Sequence, residues 1–299
     1  MIFSNLEFFG FFAAFLPFYV LTFRRIGLRN ALILLASYIF YGWWDTRFLA
    51  LIAVSTAMDY VAGLAIAGER KRWDAVAKAC GLVLVTAAAI VVLEPKSRLL
   101  VAGMSAGFCV LLVGLVAALD NLPDWRRRRL FLAASVITNL GMLGAFKYFN
   151  FFAESFADFA ALFGWTPGFV TLNVVLPVGI SFYTFQTMSY TLDIYRNRLE
   201  PTSKIVSFAA FVSFFPQLVA GPIERAQNLL PQFFERRDIT WDGVKSGAIL
   251  FLWGFYKKAV IADNLAPISD QVFSNPQAFS PDQILAGVLA FTFQIYCDF

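Results

Sequence analysis

Histidine is absent from the 299 residues, and cysteine occurs only at Cys80, Cys109 and Cys297. Without an imidazole or a CxxC pair the chain offers no metal-ligand set of the zinc kind, and scattered thiols in apolar surroundings offer no disulfide framework. Charge is scarce as well. Asp, Glu, Lys and Arg make up 15% of the residues against 59% hydrophobic ones, whereas a soluble domain carries about 25% charged residues. Four stretches, 99–119, 130–146, 170–192 and 205–223, hold no Asp, Glu, Lys or Arg, and a membrane-spanning helix needs about 20 predominantly apolar residues. Together these absences exclude a soluble fold. They predict an all-α, polytopic integral membrane protein: a multi-helix bundle with broken and re-entrant helices, forming one membrane domain over 1–299.

The charges that remain are placed by topology. A net charge of +4 does not point to nucleic acid, because the arginines cluster in short loops between apolar runs, where membrane insertion and anionic lipid account for them. Arg24, Arg25 and Arg29 follow the first run, Arg70, Lys71, Arg72 and Lys78 the third, and Arg126, Arg127, Arg128 and Arg129 the fifth. The intervening loops are poorer, with Arg47 in one and Lys96 and Arg98 in the other. This alternation predicts an N-terminus outside and cytoplasmic loops beginning near Arg24, Gly68 and Asp120. Residues 1–23 lack a basic n-region and a small-residue cleavage pattern, so they read as a retained helix and not as a signal peptide.

The second half is less regular. Over 147–165 aromatics alternate with Glu154 and Asp158, a pattern closer to an interfacial helix than to a span. Pro177, Pro216 and Pro222 interrupt apolar runs beside Gly179 and Gly221, and broken helices at membrane depth need protein or a wet cavity around them. A cavity is therefore expected in this half. The segment 224–242 is polar and reads as an aqueous loop, with membrane resuming near Ser246.

A few polar side chains stand where lipid should not tolerate them. Asp59 lies in the middle of the run 48–67, where an ionised carboxylate costs roughly 2.5 kcal/mol or more. It is either a proton or substrate group or, the favoured reading, a hydrogen-bonding partner in helix packing. Lys257 and Lys258 interrupt the run 248–261, and snorkelling to an interface accounts for them better than substrate binding. The strings LPVGISFYTFQ, from Leu176, and FFPQLVAGPIER, from Phe214, each set amides or hydroxyls beside a Pro or Gly break. Polar groups and freed backbone donors could converge there on a ligand, or simply satisfy one another.

Six blocks carry a resemblance to a known family: MIFSNLEFFGFF at the start, LLASYIFYGWW from Leu34, LPVGISFYTFQTMSYTLDIYR from Leu176, FVSFFPQLVAGPIERA from Phe211, KKAVIADNLA from Lys257 and FQIYCDF from Phe293. In this order they resemble the membrane-bound O-acyltransferases, most closely the bacterial branch that acetylates exopolysaccharides such as alginate.

The resemblance implies acyl transfer to a hydroxyl across the inner membrane. A cytoplasmic donor, acetyl-CoA as co-substrate with no bound cofactor, would meet an acceptor from the other face at a central histidine acting as general base. A separate periplasmic acetyltransferase would be the protein partner, beside membrane lipid. In the family that histidine lies downstream of the block that FQIYCDF begins, so no residue here is assigned a catalytic role. The 299-residue chain is expected to lack activity by itself and to be incomplete at its C-terminus. The matching blocks imply tunnel-lining positions only: Pro177, Ser181, Tyr183, Gln186, Gln217, Gly221, Pro222, Arg225, Gln294 and Asp298. A D-alanyl or peptidoglycan O-acyltransferase remains an alternative within the family, and a transporter or flippase without covalent chemistry remains one outside it.

Overall fold

The computed structural model describes residues 5–69, 72–165, 177, 179–218, 224–236 and 238–298. In chain order its helices are α1 (Leu6–Thr22), α2 (Ile26–Gly42), α3 (Leu49–Ala67), α4 (Arg72–Leu93), α5 (Arg98–Leu119), α6 (Asp124–Leu143), α7 (Phe149–Ala161), α8 (Ile180–Tyr195), α9 (Ile205–Val212), α10 (Phe215–Leu218), α11 (Ala226–Leu229), α12 (Trp241–Tyr256), α13 (Asp263–Ser274) and α14 (Pro281–Asp298). The described residues contain no strand. Four helical segments, Thr46–Ala67, Arg72–Leu93, Pro95–Leu119 and Asp124–Ala161, are long and apolar enough to cross a membrane, and shorter apolar helices accompany them. The protein is an all-α, multi-pass membrane protein.

The chain divides into two compact units. The larger, residues 26–219 and 223–235, is built around α3, of whose spanning stretch 89% is buried. Helices α4, α6 and α8 pack directly on it. Small residues allow the close approach: a Cβ on Gly63 would lie 2.6 Å from the ring of Tyr190 on α8. Gly68, at φ 84°, closes α3 with bonds from its own N–H to Ala65 and from Glu69 N–H to Leu64, the left-handed ending that glycine adopts without steric cost.

Loop-side arginines hold this unit together at one end. Buried Arg127 donates to the Ala65 carbonyl at 3.3 Å, placing a cation at the negative end of α3. Arg72 pairs with Asp120 at 2.7 Å, and Arg128 donates to the Tyr195 carbonyl at 2.8 Å. Buried Arg29 donates to the carbonyls of Gln232, Phe233 and Glu235. The loops at Gly68 and Asp120 therefore share one side of the unit. Asp45, Arg47 and Glu94 lie at the other, where Thr46 donates to Glu94 at 3.2 Å.

Two sequence expectations change. The aromatic stretch 147–165 is no separate interfacial helix: α7 continues α6 through a π-helical segment, Gly144–Tyr148, so that one helix runs over Asp124–Ala161. Its apolar rings face outward, Phe151 and Phe152 each 62% exposed, which suits lipid as well as it suits an interface. The segment 224–242 is less of an aqueous loop than its charges suggested, because Ala226, Leu230 and Phe233 are buried and the Arg29 bonds pin the backbone that follows. Membrane-type helix resumes at Trp241, capped by Thr240, which accepts from the Gly243 N–H.

Among the described residues, the smaller unit comprises 5–25, 236 and 238–298. Rings from α1 and α12 interlock in it, Phe12 stacked on Phe251 at 5.7 Å and Phe9 edge-on to Phe255 at 5.4 Å. A π-helical segment, Lys257–Ala262, joins α12 to α13.

Candidate functional site

The two broken motifs meet inside the larger unit. Gly179 takes a left-handed conformation, φ 73°, immediately before α8, and a Cβ there would lie 2.1 Å from the carbonyl oxygen of Leu218 at the end of α10. Only glycine lets these two backbones touch. The contact joins the start of GISFYTFQ to the end of FFPQL, so Pro177, Ser181, Tyr183 and Gln186 on one side and Gln217 on the other belong to a single neighbourhood. Pro177 is buried and its carbonyl accepts from the Ile180 N–H. Gln186 is buried and donates to the Phe211 carbonyl at 3.0 Å, fixing α8 to α9. Buried Ser37 on α2 accepts from the Phe215 N–H at 3.2 Å, fixing the start of α10. Tyr183 is fully buried, and half-buried Ser181 accepts from Lys147 at 3.2 Å.

Gly221 and Pro222 lie outside the described residues. Arg225 is exposed, immediately before α11. Gln294 and Asp298 belong to the smaller unit, where Gln294 accepts from Ser269 at 2.7 Å. Lys258 pairs there with Asp298 at 2.7 Å and with Asp263 at 2.9 Å. The ion pairs place Lys258 among acidic partners, where snorkelling had been expected, and Lys257 lies over the Tyr296 ring at 5.6 Å.

Sequence reasoning reached Asp59 but missed its setting. The carboxylate is fully buried and accepts from Ser135 at 2.5 Å and from Asn139 at 2.8 Å. Asn139 in turn accepts from Ser55 at 2.7 Å, Thr187 lies 3.3 Å from Ser55, and Thr191 lies 3.1 Å from Ser135. Three helices each give one pair: Ser55 and Asp59 from α3, Ser135 and Asn139 from α6, Thr187 and Thr191 from α8. In every pair the spacing is i, i+4, which puts both side chains on one face. That spacing was the available signal, visible once the three helices are known to be neighbours. Helix packing is the role this geometry supports for Asp59, since every partner is a neutral side chain on an adjoining helix.

Ser181, Thr184, Thr187 and Thr191 thus line a hydroxyl-rich face of α8, running from the Gly179–Leu218 contact to the Asp59 network.

No protein-family model matches the chain, and no solved structure does. Curated relatives do. A Pseudomonas aeruginosa protein named "Probable alginate O-acetylase AlgI" is 36% identical over 298 residues, 99% of this chain and 46% of the relative. An Azotobacter vinelandii protein of the same name is 37% identical over 296 residues, 99% of this chain and 48% of the relative. A Helicobacter pylori "Peptidoglycan O-acetyltransferase" is 34% identical over 198 residues, 58% of this chain and 37% of the relative. The chain spans about half the length of the curated relatives it matches along its whole course.

Proposed function

We propose, from the premise that the chain is a relative of bacterial O-acetylation membrane proteins, as its resemblance to the membrane-bound O-acyltransferases implied, that it forms part of the membrane core of an acetyltransferase. The acceptor class is an extracytoplasmic polysaccharide of the alginate type. Homology over 99% of the chain carries this reading.

In it, acetyl-CoA supplies the acetyl group from the cytoplasm, the inner membrane is the location, and a periplasmic acetyltransferase completes transfer to the polymer. The loops at Gly68 and Asp120 face the cytoplasm, because the arginines gathered there follow the usual retention of positive charge on that side. The residues of this chain bind and orient. Gln217 and Ser181 line the acyl or acceptor path, offering neutral donors and acceptors at a depth where an unpaired charge would be costly. Deprotonation of the acceptor hydroxyl requires a base with a pKa near neutrality, and these 299 residues include no imidazole. No base is assigned among them.

The peptidoglycan-acetylating relative keeps one second reading open, in which the acceptor is the cell-wall glycan. Deleting the full-length gene and measuring acetyl esters separates the classes. Loss of polysaccharide acetyl ester with secretion of the polymer intact supports the proposal. Loss of peptidoglycan acetyl ester supports the second reading. Loss of secretion with acetylation retained on residual polymer means transport without acyl chemistry.

A further inference from the structure

An apolar crevice of about 690 Å³ opens in the larger unit between α3, α5 and the junction of α6 with the π-helical segment that follows it. Its walls are Leu51 and Val54 on α3, Met104 and Phe108 on α5, and Met142 and Phe146 beyond. The volume falls within the roughly 300–1,000 Å³ of ligand pockets, but the lining has none of the convergent polar groups such pockets use for a soluble ligand. All three walls belong to segments long enough to span the membrane, so the crevice lies at hydrocarbon depth. Glycine keeps it open: a Cβ on Gly107 or Gly141 would meet nothing within 4 Å.

Polarity is concentrated at one end, where Arg47 and Ser97 line the mouth, and the remaining polar lining residue, Ser105, is buried in the α5 wall. Lys96 and Arg98 flank Ser97 and are exposed. Asp45 pairs with Arg47 at 2.6 Å, and Glu94 accepts from Thr46. Three cations against two carboxylates leave this rim positive, above a slot that accepts only hydrocarbon. We propose that the crevice is a binding site for an anionic glycerophospholipid, with one acyl chain between α5 and α6 and its phosphate at the Arg47, Lys96 and Arg98 rim. Charge complementarity at the mouth and apolarity along the walls select this occupant over a soluble one, and the inference is independent of the acetyltransferase reading.

The test uses the full-length protein reconstituted in phosphatidylcholine vesicles containing a trace of phosphatidylglycerol that carries a diazirine in one acyl chain. After irradiation, adducts are mapped by mass spectrometry. The expected result is labelling of Met104, Phe108 or Met142 at least fivefold above Val110, a bilayer-facing residue of the same helix α5 that is 71% exposed. The phosphatidylglycerol probe should label the crevice severalfold better than its phosphatidylcholine counterpart. Gly141→Leu, which fills space that is empty, should cut crevice labelling about fivefold while the yield of folded protein is kept. Uniform labelling along α5, no preference for the anionic headgroup, or crevice residues left unlabelled would each overturn the proposal.

Discussion

Helices α3 and α5 are both apolar spans, with mean hydropathies of 1.8 and 2.5 over their spanning stretches, yet 89% of one and 22% of the other is buried. What separates them is the distribution of small and polar residues. Helix α3 carries Ser55, Thr56, Asp59 and Gly63, all buried, and each finds protein around it. Helix α5 carries Leu99, Val110 and Leu111, each more than 70% exposed, while its buried polar residue is Ser105. Between lipid and protein there is little hydrophobic preference to sort the helices, so small residues and interhelical hydrogen bonds decide which spans lie inside.

The comparison is broken most directly at Asp59. Asp59→Leu removes an acceptor shared by Ser135 and Asn139 and strands two buried donors, at a cost of about 1–3 kcal/mol each. The full-length protein should lose most of its folded yield in fluorescence-detected size-exclusion chromatography, while Val110→Leu on the lipid-facing side of α5 should leave it unchanged. Similar behaviour of the two variants would mean that the interior of α3 is not specified by its polar network.

A smaller effect is expected from Gly63→Ala. The added methyl would collide with Tyr190, which cannot swing away because its hydroxyl accepts from the Thr202 N–H at 3.2 Å and its ring packs 4.4 Å from Phe208. Overpacking of this kind costs about 1–3 kcal/mol, seen as a lowered Tm in detergent. Gly103→Ala on α5, where nothing lies within 4 Å of the new methyl, should leave Tm in place.

The smallest effect belongs to the polar rim. The hydrogen bonds of Arg47, aided by its charge, hold the Asp45 carboxyl below the usual carboxylate range. A carboxyl depressed in the folded state stabilises the fold above its unfolded pKa, about 3.9, and that contribution fades as the pH falls below it. Asp45→Asn should therefore flatten the acid limb of the Tm profile slightly and leave neutral-pH Tm nearly untouched, since exposed ion pairs are worth little. An unaltered acid limb would deny the pair any role.

Much of the architecture was legible beforehand, because runs without charge admit few alternatives in a bilayer. The spans 99–119 and 130–146 fall on α5 and on α6 with its π-helical continuation, and the alternation of arginines matches the shared side of the Gly68 and Asp120 loops. Periodicity could not say that Asp124–Ala161 is one helix, since a π segment resets the phase that an amphipathicity reading relies on. The candidate site was half legible. Breaks at Pro177 and Pro216 announced that two segments are interrupted, but their meeting at Gly179 and Leu218 is a tertiary fact. The Asp59 network lay out of reach for the same reason: its three i, i+4 pairs stand on helices separated by scores of residues. Asp298 was chosen by motif alone, and its ion pair with Lys258 was invisible in an apolar string.

Gln217 tests the central claim most directly. The full-length gene carrying Gln217→Ala is placed in a strain deleted for it, and polysaccharide acetyl ester is measured per unit of folded membrane protein. A ligand hydrogen bond of about 0.5–1.5 kcal/mol corresponds to a loss of roughly two- to tenfold in transfer. Our account predicts that loss at unchanged folded yield, and Gln217→Asn should recover part of it. Acetyl ester falling only in proportion to folded protein would contradict it and leave the Gly179–Leu218 junction a purely structural joint.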